Sequence, residues 1–278
     1  AAGVAIGGLI AAQRALDRQV RLNEMKGNFV SSVSHELRAP IASVRLLAEG
    51  LDRGTITDEG RRQTYYRLIV QECRRLSSLI ENVLDFSRID QGRKQYALEP
   101  TDLPALLGQT VNLMAPYAAE REVRLVLAPP SGEAQNTPVR VDGKAIQQAV
   151  INLIDNAIKH APPRSEVEVA LALDPNQLSP RPPAAKPVRA EAHCLIQVTD
   201  AGPGVPFPER ERIFEPFYRR GSELRRETPG IGIGLSIVKH IIDAHAGRVW
   251  VESGPAGGSR FVIALPLDEA PSLAPSST

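Results

Sequence analysis

The chain has 278 residues, with 33 Lys and Arg against 32 Asp and Glu and a formal charge of +1 at pH 7. That balance removes the electrostatic case for a nucleic-acid binder, and 42% apolar residues suffice for packed cores, which excludes wholesale disorder. Two cysteines, Cys73 and Cys194, exclude a disulfide framework and a four-cysteine zinc site, and without an oxidising signature a reducing cytoplasm is the expected setting.

Ala1 in place of Met marks a fragment or a processed chain. Residues 1–12, AAGVAIGGLIAA, carry no charged side chain, and Arg14, Arg18, Arg21 and Lys26 follow them. Two readings fit residues 1–26. One is the end of a transmembrane helix running into a linker helix, with its basic residues on the cytoplasmic side; the other is an ordinary Ala/Gly-rich helix start. No apolar run reaches the roughly 18–20 residues that span a bilayer. No charged region precedes the apolar run, as a signal peptide would need.

Residues 27–93 predict a helical hairpin. Val30, Val33, Leu37, Ile41, Val44, Leu47 and Leu51 step by three or four along one stripe. Asp52-Arg53-Gly54-Thr55 is a break, and Thr57 or Asp58 caps a second helix that runs to about Ile89. Its stripe is Ile69, Cys73, Leu76, Ile80 and Val83, which places Cys73 in the core. A lone hairpin leaves one apolar side bare, so two copies are expected to pair as a four-helix dimer.

Residues 99–267 predict an α+β sandwich, one sheet covered on one face by helices. The expected helices are 103–117, 143–160 and 233–246. The expected strands are 123–127, 139–141, 167–173, 195–199, 249–252 and 260–265. A Pro-rich insertion lies at 174–189 and a disordered tail at 268–278. The fold class is therefore multidomain: an all-α antiparallel hairpin followed by an α+β domain.

Three groups of residues carry chemistry. In Ser34-His35-Glu36-Leu37-Arg38-Ala39-Pro40, His35 falls opposite the apolar stripe at about 100° per residue and points to solvent. Glu36 beside it is placed to take a proton from one ring nitrogen, which leaves the other as a nucleophile. Pro40 bends the helix one turn later. On 147–160, Asn152, Asn156 and Lys159 fall within about 60° of one another, opposite Val150, Leu153, Ile154 and Ala157. Amide oxygens are hard metal ligands and an ammonium offsets phosphate charge, so this face suits a magnesium polyphosphate.

The third group is glycine-rich. Asp200-Ala201-Gly202-Pro203-Gly204 ends a strand, and Gly230-Ile231-Gly232-Ile233-Gly234-Leu235 opens a helix whose N-terminus favours a phosphate. Neither run is a Rossmann or Walker loop. Asp200 is placed to accept from an adenine amino group. Phe214, Phe217 and Tyr218 lie between the loops, with Arg219 and Arg220 after them, an aromatic lid with a reach to a terminal phosphate. A third pair, Gly257-Gly258, precedes the last strand. His193, His240 and His245 lack metal-ligand spacing, and Cys194 and Trp250 read as packing residues. Each group taken singly also reads as a solvated face, a turn or a satellite core.

In this order and spacing the segments resemble the bacterial sensor histidine kinases of two-component systems, over about residues 25–266. The resemblance implies a dimerisation and phosphoacceptor hairpin followed by a Bergerat-type ATP-binding domain. It implies that His35 is phosphorylated from Mg-ATP with Glu36 as general base, and that the phosphoryl group passes to an aspartate of a response regulator. It further implies a homodimer attached to the inner membrane through an upstream region. By position, Asn156 would hold Mg²⁺ and Asn152 would support that site. Lys159 and Arg219 would contact phosphates, and Asp200 would read adenine beside Gly202 and Gly204. Gly230, Gly232 and Gly234 would form the hinged lid, and Phe217 and Leu235 would be further ATP-binding residues.

Related gyrase, mismatch-repair and heat-shock ATPases place a Glu where Asn152 stands. An amide cannot take a proton from water, so hydrolysis should be slow and ATP kept for the imidazole. Three departures from the family pattern matter. Ala39 stands where Thr or Asn is frequent, which predicts weak phosphatase activity on the partner. Ala201 replaces a commoner Asn, removing one contact to the nucleotide. Ile231 and Ile233 fill places often held by Thr and Leu, a change that keeps the turn.

Overall fold

The computed structural model describes residues 12–13, 33–34, 36–54, 56–129, 139–172, 193–219, 232–255 and 257–267. The chain divides into two compact units, residues 1–86 with 221–233 and residues 87–220 with 234–278. Residues 1–11, the insertion 174–189 and the tail 268–278 lie outside the described residues. Among the described residues, no helix is long and apolar enough to cross a membrane.

The first unit is built on the hairpin. Helix α1 covers residues 36–52, continues through the buried Pro40 and turns at Gly54, whose φ is +62°. Helix α2, Glu59–Asp90, starts on the expected cap, with Asp58 Oδ2 accepting the Arg61 N–H at 2.8 Å. Its far end closes with Gly92 and Arg93 donating N–H groups to the carbonyls of Ile89 and Arg88, both at 2.9 Å.

The stripe residues are only half-covered within one chain: Ile41 is 53% exposed and Ile80 43%. Cys73 is exposed too, which corrects its expected burial. The physical reason is that a two-helix hairpin has no third element to lay on its stripe. An open groove of about 430 Å³, lined by Ile41, Val44, Cys73, Leu76 and Ile80 among others, marks that missing cover.

The second unit carries a sheet ordered β2-β4-β5-β7-β6, from Arg124–Leu127, Glu166–Ala172, His193–Thr199, Ser259–Pro266 and Arg248–Ser253. β2 runs parallel to β4 and every other neighbouring pair is antiparallel. Val169, Val198, Phe261 and Val251 meet in register across four strands and share one face, as do Leu171, Ile196, Ile263 and Val249. Helices α3 (Leu103–Glu120), α4 (Gly143–His160) and α5 (Gly234–Ala244) lie against the sheet, with α4 packed on both others. Leu153, Ile154, Ile237 and Ile241 are 0–1% exposed. Burial of each such side chain stabilises the fold by about 1.5–3 kcal/mol relative to leaving it exposed. On the opposite sheet face Trp250 packs against Ala172, Leu195, Val262 and Ala264, the packing role expected of it.

Two elements depart from expectation. α3 carries the exposed Pro116 inside it and runs to Glu120, three residues beyond the expected end, closing where the Arg121 N–H donates to the Ala118 carbonyl at 3.0 Å. Glu99–Thr101 forms a strand, β1, paired antiparallel with β3 (Val139–Val141). Three residues with a central proline give no periodicity to read, and an edge strand tolerates the proline.

Burial pushes the Cys194 thiol up to about 12, which keeps it protonated and unreactive. Iodoacetamide is expected to spare Cys194 in the folded chain, to label Cys73 alone at concentrations where the chain is monomeric, and to reach both thiols after denaturation. Mass-spectrometric labelling of Cys194 under native conditions would contradict this burial.

Candidate active site

Helix α4 sets the frame. Asp142 caps it, Oδ1 accepting the Ala145 N–H at 3.1 Å. Val150, Leu153, Ile154 and Ala157 are fully buried on one side, and Asn152, Asn156 and Lys159 are half-buried on the other, as the periodicity predicts. Asn152 Nδ2 donates to the Gly234 carbonyl at 3.5 Å, so the amide face meets the first residue of α5. Lys159 Nζ stands 2.6 Å from Asp155 Oδ2, in a pair that is one-quarter to one-third exposed. Reaching a phosphate would require the lysine to leave that carboxylate.

Asp200, at the end of β5, is 4% exposed. Its Oδ1 accepts the N–H groups of Gly202 at 2.7 Å and Ser259 at 3.3 Å. Burial holds its carboxyl above the usual aspartate range, against the pull of those hydrogen bonds and of the nearby His160. Gly202 has no room for a side chain, since a Cβ there would stand 2.7 Å from the His160 carbonyl oxygen at the end of α4. The first glycine loop thus packs on the C-terminal turn of the helix that carries the amides. Gly204, with φ +67°, turns against the Gly257 carbonyl.

Residues 257–259 were the part of this site that carried least weight in the sequence. A Cβ on Gly258 would lie 2.7 Å from the Asp200 carbonyl carbon and 2.9 Å from the Ala201 Cα. Ser259 returns its N–H to the Asp200 side chain. The Gly257-Gly258 pair was the available signal; its partner across the turn is a tertiary fact. Arg210 is a second addition. It donates to the Val205 carbonyl at 3.2 Å and to Ser253 Oγ at 2.7 Å, bracing the loop after Gly204 on β6.

The aromatic segment splits in two. Phe214 is buried edge-on against Phe261, ring centroids 6.4 Å apart, which is the satellite-core reading. Phe217 is half-buried with φ +67°, a conformation that costs a non-glycine residue about 1–3 kcal/mol. Arg219 and Leu235 are half-buried, and Gly232 has φ +78°. The contacts described above pair Asn152 with Gly234 and, separately, bring Gly202, Gly204 and Gly258 to Asp200; they do not reach Phe217 or Arg219. Glu36 lies half-buried on α1. His35, Gly230 and Ile231 lie outside the described residues.

Two family models match the chain. "His Kinase A (phospho-acceptor) domain" covers residues 25–92, and "Histidine kinase-, DNA gyrase B-, and HSP90-like ATPase" covers residues 141–269. The chain belongs to the two-component sensor histidine kinases. It is 31% identical to the alginate biosynthesis sensor protein KinB of Pseudomonas aeruginosa, over 94% of this chain and 40% of that protein. It is 32% identical to the sensor protein SphS of Synechococcus elongatus, over 94% of this chain and 59% of that one. This histidine kinase chain therefore spans less than two-thirds of the length of either relative.

Among solved structures, full-length ShkA in complex with AMPPNP superposes with a TM-score of 0.57 at 27% identity, over 86% of this chain and 46% of that one. The histidine kinase AdeS of Acinetobacter baumannii gives 0.56 at 21% identity, over 84% and 98%, and shares the fold. The hairpin followed by a helix-covered sheet is thus the histidine kinase architecture.

Proposed function

We propose that the chain takes the γ-phosphoryl group of Mg-ATP onto His35 and passes it to an aspartate of a response-regulator receiver domain. Residues 27–93 are the dimerisation and phosphoacceptor domain in this reading, and residues 99–267 the ATP-binding domain. One imidazole nitrogen of His35 attacks the γ-phosphorus as the bond to the departing ADP oxygen breaks, and Glu36 takes the proton from the other nitrogen. Asp200 accepts from the adenine amino group beside Gly202 and Gly204. Asn152 and Arg219 face the phosphates, Lys159 joins them on leaving Asp155, and Gly230, Gly232, Gly234, Leu235 and Phe217 lie along the hinged loop. The amide oxygen of Asn156 is a hard donor that fits Mg²⁺, which neutralises phosphate charge when bound.

The observation that carries this reading is the buried Asp200 carboxylate, locked by Gly202 and Ser259 where the amide-bearing helix ends. Incubation with γ-labelled ATP tests it: an acid-labile, alkali-stable phosphoprotein is expected. Steady ATP consumption without a phosphoprotein would indicate an ATPase, and binding without label a nucleotide-dependent scaffold.

The bare stripe on the hairpin supports a second copy of this chain as its cover, completing a four-helix bundle. Cys73 is then expected to lose its iodoacetamide reactivity as the protein concentration rises. The membrane setting is part of the same proposal and rests on residues 1–12 and the arginines after them.

Two further outcomes follow from single side chains. Ala39, exposed on α1, offers no hydroxyl or amide to hold a water. The chain is therefore expected to dephosphorylate its partner slowly, and rapid loss of label from a phosphorylated receiver domain would overturn this. The raised carboxyl of Asp200 sets a pH dependence. Protonation removes the acceptor, so nucleotide affinity is expected to fall on acidification from a pH above that of an ordinary aspartate, a slope missing from Asp200→Asn. By linkage, a folded-state value raised above the unfolded one costs stability once pH rises through it. Asp200→Asn should accordingly melt no lower than the wild type at pH 7.

A further inference from the structure

His245 follows the last residue of α5 and is 5% exposed. Its Nδ1 lies 2.6 Å from the Ile241 carbonyl, and its Nε2 lies 2.9 Å from the Asp142 backbone nitrogen. A carbonyl only accepts and a backbone amide only donates, so the hydrogen sits on Nδ1 and Nε2 is bare. The ring is a neutral bridge between the C-terminal end of α5 and the cap residue of α4.

Asp142 is a junction. Its N–H donates to His245, Oδ1 caps α4 on Ala145, and Oδ2 accepts the Ala97 N–H at 3.2 Å. Tyr96, next to Ala97, lays its ring 5.3 Å from that of His245 and 6.1 Å from that of His240. The segment from Tyr96 into β1 is thereby fastened to both helices.

α4 and α5 consequently share two anchors. One is His245–Asp142; the other is Asn152–Gly234. Ten residues of α4, about 15 Å at 1.5 Å per residue, separate them. Two ties, at the two ends of α5 and at the start and the middle of α4, fix the axial register of one helix on the other, whereas apolar packing alone tolerates sliding.

Resting on the ATP-site reading above, we propose that His245 is a positioning residue for nucleotide binding: it holds α5 in register on α4, so that the Gly234 end stays at Asn152 where the phosphates bind. The adenine side, built on Asp200, does not depend on this tie.

The test compares Mg-ATP with adenosine on the intact chain. In His245→Leu, the dissociation constant for Mg-ATP is expected to rise about tenfold, the scale of one lost buried hydrogen bond, while that for adenosine changes less than twofold. In His245→Gln the amide oxygen can accept the Asp142 N–H, and Mg-ATP affinity should return to within about threefold of the wild type. Parallel loss of both ligands, or an unchanged Mg-ATP constant in a folded variant, would overturn the proposal. If His245→Leu does not fold, His245→Asn carries the same comparison, since it keeps the donor toward Ile241 and loses reach to Asp142. A wild-type chain that binds adenosine no more weakly than Mg-ATP would instead overturn the nucleotide-site reading beneath it.

Discussion

His35→Gln is expected to take up no label from γ-labelled ATP while binding Mg-ATP as the wild type does. Glutamine has the polarity of histidine but no nitrogen lone pair to attack phosphorus, so the loss should be complete. Glu36→Gln separates the roles of the two residues. Its amide still accepts a hydrogen bond but takes no proton, and general-base assistance is worth about 10²–10⁴-fold. Labelling of Glu36→Gln should slow by about 10²-fold or more, with nucleotide affinity within twofold of the wild type. Rapid-quench labelling and nucleotide titration on the same samples read both quantities. Label persisting on His35→Gln would move the acceptor elsewhere, and a wild-type rate for Glu36→Gln would deny it the proton.

Much of the fold was legible because its signals are local. The cap at Asp58 and the bounds of α4 follow from side chains within a few residues of each terminus. The amide face of α4 follows from one angle per residue, and its buried side came out as predicted. What stayed hidden depends on contacts far apart in sequence. Cys73 lies on an apolar stripe, yet its exposure is set by what covers that stripe, which no stretch of one chain encodes. His245 has no metal-ligand spacing and reads blandly; its partner, the Asp142 N–H, is 103 residues away. Lys159 aligns with the two asparagines, but Asp155, one turn earlier, takes its ammonium. Each is a case where a tertiary contact sets what a periodicity leaves open.

Gly258→Ala should abolish tight nucleotide binding without disturbing the hairpin. The added Cβ would press on the Asp200 carbonyl carbon at 2.7 Å and the Ala201 Cα at 2.9 Å, where ordinary contacts begin near 3.4 Å. Both obstacles are backbone, so no side chain can rotate away and the β6–β7 turn must move off the end of β5. That movement pulls the Ser259 N–H from Asp200 Oδ1 and frees the carboxylate that the Gly202 N–H now orients. Two charge-assisted hydrogen bonds at about 1.5–3 kcal/mol each make a loss of at least 10²-fold in Mg-ATP affinity the expected result. Gly257 is the control. A Cβ there meets nothing within 4 Å, although its φ of +87° makes alanine strained, so Gly257→Ala should lose stability more than affinity. Isothermal titration with Mg-ATP, beside sedimentation to read dimerisation, separates the cases. Wild-type affinity in Gly258→Ala would mean that Asp200 does not need its present seat, and the nucleotide site would have to be sought elsewhere in the domain.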